Sequence, residues 1–299
     1  MKTVNPSDVQ PNEFYRFMIG TIGPRPVAFA STIDANGNVN LSPFSFFNIF
    51  GYNPPTLVFA PTINRHGHKK HTLLNLEEVG EVVINVVNYA MVEQMSLASA
   101  DFDRGINEFE KAGFTAVPSD RIRPPRVAES PAAFECVVKQ IIPTNPDAGV
   151  SESPGSAHLV ICEIVMGHFH DNIFDAKGAI DPHQLDLIGR MGADWYCRAH
   201  GDALFDVARP QVGIGVDQIP GDIRNSTILS GNDLGKLGSF DVLPTPSEIK
   251  HFRESGALNE LIDEARYGCQ YLPDLLHLRA KKLLAERKIK EAWLTLLAN

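Results

Sequence analysis

The sequence lacks the features of several large classes of protein. It has no run of about 18 apolar residues, and its amino-terminal segment has no apolar core typical of signal peptides. The formal net charge is −9, and no basic stretch is long enough to follow a phosphate backbone. The four cysteines form no CxxC pair. We therefore expect a cytoplasmic protein without structural disulfides that binds neither nucleic acid nor membranes.

Two glycine-rich segments do not complete a nucleotide-binding motif. Gly213 and Gly215 lack the third glycine and the following helix of a dinucleotide fingerprint. The segment from Gly231 to Lys236 is one residue short of a P-loop, and Leu237 stands where Ser or Thr is required. Neither segment indicates nucleotide binding.

The histidines cluster in two places, at His66, His68 and His71 and at His168 and His170. Imidazole is a common ligand of zinc and copper. However, the HGHKKH segment also carries two lysines that would repel a cation, and no carboxylate or thiolate stands at ligand spacing. We therefore predict no metal site.

The chain changes character near residue 206. Before it, β-rich runs at 25–33, 39–42, 56–60, 81–87, 133–142 and 158–170 alternate with turn signals, and helical spacing occurs only at 72–79 and 91–100. After it, a capping box (Thr245 and Glu248) and an apolar stripe in 289–297 predict helices. The expected fold is mainly β, an antiparallel barrel over 1–205, with a helical extension over 206–299.

Two neighbouring segments favour an anionic ligand with a flat ring. The segment 64–72 (NRHGHKKHT) brings Arg65, Lys69 and Lys70 ahead of a predicted helix with Thr72 at its start, which suits a phosphate group. The segment 42–48 (SPFSFFN) combines aromatic side chains with hydroxyls, as a planar ring with a polar edge requires. At least one of its three phenylalanines is expected to pack in the core, because side chains alternate along an extended chain.

An ordered series of motifs covers roughly residues 10–200. It comprises IGPRPVAFAST, DANGNVNLSPFSFFN, PPTLVFAP, KKHTLLNLEEVGEVVINVV, SPAAFECVV and LIGRMGADWY. In these motifs the chain resembles the flavin reductase-like FMN-binding split-barrel family, in the branch of flavoredoxin and the small reductase components of two-component monooxygenases. One motif would carry little weight, whereas the series in family order is specific.

The resemblance implies FMN bound at a homodimer interface. It assigns the ring contacts to Arg25, Ala30, Ser31, Thr32, Ser45, Phe46 and Asn48, and the phosphate contacts to Lys70 and Thr72. It also makes His168 and His170 candidate neighbours of the flavin or of a nicotinamide. The turn with Arg190, Gly192 and Tyr196 is expected to close the barrel or to shape the ring pocket. Two positions depart from the family pattern: His71 replaces a common acidic residue and Ser42 a common alanine.

Three functions remain open at this stage. The first is an oxidoreductase in which NAD(P)H reduces bound FMN and electrons pass to free flavin, oxygen or a partner oxygenase. No side chain need act as a catalytic acid or base there, because the flavin carries the redox chemistry. The second is a flavoredoxin-like electron carrier that does not use NAD(P)H. The third is a non-catalytic binding protein. The extension could cover the pocket, extend the dimer or bind a partner.

Overall fold

A computed structural model describes residues 1–145, 153–268 and 270–298. It divides into two compact units, Met1–Phe205 and Asp206–Asn299. Cys136 and Cys162 are buried free thiols and Cys197 is an exposed one, whereas Cys269 lies outside the described residues. Every helix in the described ranges is too short or too polar to cross a lipid bilayer.

The first unit is built on strands. Its strands are β1 (Ala28–Ile33), β2 (Val39–Phe44), β3 (Phe47–Tyr52), β4 (Pro55–Phe59), β5 (Glu81–Val86), β6 (Ala116–Val117), β7 (Arg126–Val127), β8 (Ala132–Pro143), β9 (His158–Phe169), β10 (Ile188–Arg190) and β11 (Tyr196–Arg198). Its helices are α1 (Pro11–Thr21), α2 (His71–Val79), α3 (Val92–Leu97), α4 (Glu108–Ala112) and α5 (Pro182–Leu185).

Seven of these strands form one antiparallel sheet in the order β2-β1-β5-β8-β9-β4-β3. Strand β1, which lies between β2 and β5, is buried on both faces: Phe29 packs in one apolar cluster, and Ala28 and Ala30 pack in another. In β5, Val82 and Ile84 join the second cluster while Val83 joins a smaller one. The β-branched run at 81–87 predicted such a doubly buried strand, and the prediction is confirmed.

The strands around residue 45 differ from the sequence prediction. The predicted strand at 39–42 runs on to Phe44 as β2, and β3, which was not predicted, begins at Phe47, so only Ser45 and Phe46 connect them. The reason is that the aromatic and β-branched residues from Phe47 onward favour a strand and pair with β4. The short connection holds both strand ends close together.

The second unit is helical. It contains α6 (Gly221–Arg224), α7 (Gly231–Gly238), α8 (Pro246–Glu254), α9 (Asn259–Gly268), α10 (Leu272–Ala285) and α11 (Ile289–Leu297). The predicted capping box is confirmed, since Thr245 and Glu248 bond each other's backbone N–H groups at the start of α8. Trp293 is fully buried in the core of this unit, as the apolar stripe predicted. The antiparallel sheet and these helices together confirm the predicted fold class.

Candidate functional site

A cleft of about 330 Å³ opens at the first turn of α2. Its walls are β2, the segment that precedes α2 and the segment that follows α3. The lining includes Asn40, Ser42, Arg65, Lys69, Lys70, His71, Thr72, Asp101, Arg104 and Glu108. The sequence predicted a phosphate-binding segment here, and the structure adds the strand and the acidic segment that face it.

The start of α2 is suited to an anion. Lys70 occupies the N-cap position, and no side chain in the described part of the chain caps this turn. The backbone N–H groups of Leu73 and Leu74 bond the Lys70 carbonyl, so the first N–H groups of the helix remain for a ligand. Such groups, together with the helix dipole, favour negative charge.

Thr72 lies at the base of this cleft and is 1% exposed. Its hydroxyl oxygen accepts a hydrogen bond from Asn40 Nδ2 at 2.9 Å. A hydroxyl that accepts one bond still has its own hydrogen to donate. Asn40, which sequence reasoning missed, thus orients the hydroxyl; its position two residues before Ser42 on an alternating strand was the available signal.

The two lysines of the cleft pair with carboxylates. Lys70 Nζ lies 2.8 Å from Asp101 Oδ1, and Lys69 Nζ lies 2.9 Å from Glu77 Oε1. The hydrogen bond and the charge of Lys70 hold the pKa of Asp101 below its usual value. Arg65 also lines the cleft and donates to His66 Nε2. A ligand phosphate would therefore compete with Asp101 for Lys70.

His71 differs from the acidic residue common at this place in the predicted family. Burial lowers its pKa, and the positive charges of Arg104 and Lys70 lower it further. The lowered pKa favours the neutral form of the imidazole. It adds no negative charge against a bound phosphate, in contrast to a carboxylate at the same position.

The predicted contacts on β1 are core residues. Ala30, Ser31 and Thr32 are each 0% exposed, and none of them lines the cleft. Thr32 Oγ1 accepts a bond from Asn75 Nδ2 at 3.1 Å. Among the described residues Ser31 Oγ has no hydrogen-bond partner, which is unusual for a buried hydroxyl. Ala30 pairs with Ser42 across the sheet, so β1 lies next to the strand that lines the cleft.

The predicted ring contacts meet around the connection between β2 and β3. Arg25 Nε donates to Ser45 Oγ at 3.3 Å, and its guanidinium carbon lies 6.0 Å from the centre of the Phe46 ring. Phe46 is 37% exposed, and Asn48 is exposed with its Oδ1 accepting the N–H of Ile49. Arg25 fixes the connection, and Phe46 and Asn48 present surface.

The cleft and the connection at Ser45 lie close together along the chain, at the end of β2. Ser42 lines the cleft, and Ser45 follows it by three positions. Three residues of extended chain span about 10 Å. A ligand with a ring and a separate charged end could thus contact both places along β2.

His168 and His170 line a different cavity, of about 240 Å³, together with Arg126 and Ser130. His168 Nε2 lies 2.6 Å from Oε1 of Glu135, a fully buried carboxylate. Glu135 also accepts the N–H groups of Asp120 and Arg121, each at 2.7 Å. Asp120, Glu135 and His168 are close enough to share an ion. Glu135 already accepts three hydrogen bonds in this arrangement. That the protein has no metal site stays a prediction.

Comparisons with known proteins decide the family. A family model described as the flavin reductase like domain matches residues 21–183. The chain belongs to this family. The resemblance seen in the sequence is thereby confirmed.

The relatives found by sequence are similar in length to the first unit. An uncharacterized protein of Halalkalibacterium halodurans is 33% identical over 209 residues, covering 70% of this chain and 97% of that one. An uncharacterized protein of Aquifex aeolicus is 30% identical over 193 residues, covering 64% and 93%.

Solved structures with a similar fold support the same family. Nitrilotriacetate monooxygenase component B of Bacillus cereus is 29% identical with a TM-score of 0.63, covering 69% of this chain and 98% of its own. The 2-nitrobenzoate 2-nitroreductase of Pseudomonas fluorescens is 30% identical with a TM-score of 0.60, covering 69% and 96%. A Shewanella frigidimarina protein with a split barrel domain is 26% identical with a TM-score of 0.55, covering 68% and 95%. The first unit is therefore a flavin reductase-like split barrel.

The residues of this split barrel fit a flavin nucleotide. The cleft offers the uncapped start of α2, cations and the Thr72 hydroxyl, which suit a phosphate group. The connection at Ser45 offers an exposed aromatic surface with polar neighbours, which suits a flat ring. The unpartnered Ser31 hydroxyl lies on the neighbouring strand.

Proposed function

We propose that the protein binds FMN and is an NAD(P)H-dependent oxidoreductase that passes electrons to free flavin or to a partner oxygenase. The phosphate is assigned to the cleft at the start of α2 and the ring to the connection at Ser45 and Phe46. The observation that carries the proposal is the position of β2, which lines the cleft at the uncapped start of α2 and leads into the exposed aromatic surface at Phe46 in a flavin reductase-like fold. The relative that forms component B of a monooxygenase supports the oxygenase partner.

Each group in this chain has a binding or orienting task. Lys70 and the uncapped N–H groups of α2 bind the phosphate, and the Thr72 hydroxyl donates to it. Arg25 holds Ser45 in place, so that the ring surface keeps its shape. Bound FMN would supply the hydride-accepting chemistry. The side chains near the connection need only leave one ring face open and orient the nicotinamide.

Anaerobic mixing with NADH or NADPH tests the proposal. Purified protein loaded with FMN is expected to lose flavin absorbance rapidly with one of the two nicotinamides. Protein that holds FMN but shows no bleaching at millimolar nicotinamide would be an electron carrier instead. Protein that neither shows a flavin spectrum nor quenches the fluorescence of added FMN would be a binding protein without flavin, and would contradict the proposal.

Replacing Asp101 with asparagine is expected to strengthen FMN binding about two- to fivefold, because an exposed ion pair contributes up to about 1 kcal/mol. The change removes a negative charge from the cleft and frees Lys70 for the phosphate. Quenching of FMN fluorescence measures the affinity. The control is Glu254→Gln, which neutralises an exposed carboxylate paired with Lys250 in the helical unit. Equal or weaker binding by Asp101→Asn would argue against phosphate at Lys70.

We also propose that the protein is a homodimer in which β3 lies at the interface. This edge strand exposes Ile49, Phe50 and Tyr52 by 70%, 68% and 94%. Exposed apolar edge strands are unusual in monomers. The strand begins beside the proposed ring site, so a partner copy on it would lie close to the flavin.

Phe50→Glu tests the dimer. The new carboxylate would be buried at the proposed interface without a partner. It is expected to weaken dimerisation at least about tenfold, since an unpaired charge at an interface costs several kcal/mol. Sedimentation velocity over a concentration series measures the change. Val165→Glu, at an exposed apolar position on β9, is the matched control and should leave the dimer intact. A monomeric wild-type protein would refute the interface.

A further inference from the structure

A third and larger cavity, of about 940 Å³, lies between α1 and the hairpin of β10 and β11. Three aromatic residues, Tyr15, Trp195 and Tyr196, line it together with Met191. Its polar lining groups include Asn12 and Arg16. The size is within the range of small-molecule sites, which combine apolar walls with a few polar groups. None of these residues lines the cleft at α2 or the connection at Ser45, and a role of Gly192 and Tyr196 in shaping the ring pocket stays a prediction.

The walls of this cavity are held in place by the protein. Gly192 packs so closely on α1 that a Cβ atom there would lie 2.9 Å from the Cα atom of Gly20. Arg25 donates to the carbonyls of Ile19 and Met191, at 3.1 and 3.0 Å, and so ties both walls together. A preformed pocket of this kind binds a ligand without first ordering its own walls.

The charge of the cavity is opposite to that of the protein. Arg16 lines it, whereas the described lining contains no carboxylate, although the chain carries a net charge of −9. Arg16 is exposed and makes no ion pair with any residue in the described ranges. The nearby carboxylate of the hairpin belongs to Asp194, and its Oδ1 lies 3.8 Å from Nη2 of Arg190. It is thus paired with Arg190 and not with Arg16. A single guanidinium matches a single carboxylate in both charge and planar geometry.

We propose that this cavity binds an aromatic carboxylate, with its ring against the aromatic walls and its carboxyl group on Arg16. A planar ring suits Tyr15, Trp195 and Tyr196, because aromatic rings stack on or meet each other edge to face. Asn12 adds an amide that can donate a second hydrogen bond to the carboxylate. Arg25 bonds both this cavity and Ser45, so the bound acid lies in the neighbourhood of the proposed flavin ring.

Tryptophan fluorescence offers a direct test on the full chain. The sequence has two tryptophans: Trp195 is 76% exposed at the cavity, and Trp293 is fully buried in the helical unit. Benzoate is the probe, benzamide is its neutral analogue, and cyclohexanecarboxylate is an acid without an aromatic ring. Saturable quenching by benzoate is expected, with benzamide and cyclohexanecarboxylate each at least tenfold weaker. Trp195→Phe should remove the quenching, while calorimetry still detects benzoate.

Arg16→Gln is expected to weaken benzoate binding at least tenfold and to abolish the preference for benzoate over benzamide. Arg266→Gln, which removes an exposed arginine of the helical unit, should change nothing. The titrations are run with and without FMN, so that a failure of flavin binding is seen separately. The proposal is overturned by the absence of saturable benzoate binding in the wild type, by equal affinities for the three probes, or by an unaffected Arg16→Gln protein.

Discussion

Replacing Lys70 with glutamine is expected to weaken FMN binding about 10- to 100-fold. A hydrogen bond to a charged group contributes roughly 1.5–3 kcal/mol, and each 1.4 kcal/mol changes an affinity tenfold. Lys70 lines the cleft at the start of α2, where its ammonium group would contact the phosphate. Because Lys70 also pairs with Asp101 at 2.8 Å, the measured loss includes the repulsion between the phosphate and a carboxylate whose charge is no longer balanced.

Riboflavin separates the phosphate contact from the ring contact. It carries the same ring as FMN but no phosphate, so Lys70→Gln should leave its affinity unchanged. Lys139→Gln is the matched control variant, since Lys139 also pairs with a carboxylate, Glu163, at 3.0 Å. Equal losses for FMN and riboflavin would show that Lys70 acts on the fold or on the ring. Unchanged FMN binding would place the phosphate elsewhere.

The sequence predicted those parts of the fold that local chemistry determines. The β-branched run at 81–87 is typical of a strand that is buried on both faces, and β5 is such a strand. Thr245 and Glu248 stand at the spacing of a capping box, which requires no distant contact. The segment before Thr72 likewise carries its own signal, since a helix start and cations are adjacent in the chain.

The remaining features depend on partners that are distant in the sequence. Asp101 meets Lys70 across 31 positions, and Arg25 meets Met191 across 166. Ser31 is buried because β1 pairs with β2 and β5 and is packed on both faces, whereas the sequence around Ser31 is equally typical of a strand end. The cavity at Trp195 is formed by α1 and a hairpin from opposite ends of the first unit. Spacing alone does not encode such pairings.

Replacing Glu135 with alanine is expected to lower the free energy of unfolding by about 3–5 kcal/mol, because each donor that loses a buried acceptor costs about 1–3 kcal/mol. The carboxylate is 0% exposed and accepts three hydrogen bonds, from Asp120 N, Arg121 N and His168 Nε2. The alanine variant leaves all three donors without this acceptor. Urea denaturation measures the change, and the exposed pair at Glu163 serves for comparison: Glu163→Ala should cost less than about 1 kcal/mol.

The pH dependence identifies the charge as the cause. Burial alone would raise the pKa of Glu135, but the hydrogen bonds from Asp120, His168 and Arg121 together hold it below its usual value of 4.5. A carboxyl group whose pKa is lowered by folding stabilises the protein above its unfolded pKa and loses that contribution as the pH falls through its folded pKa. The stability difference between the wild type and Glu135→Gln should therefore be full at pH 7 and shrink below about pH 4.5. A difference that does not vary with pH would mean that Glu135 acts through packing alone, and that His168 owes its orientation to other contacts.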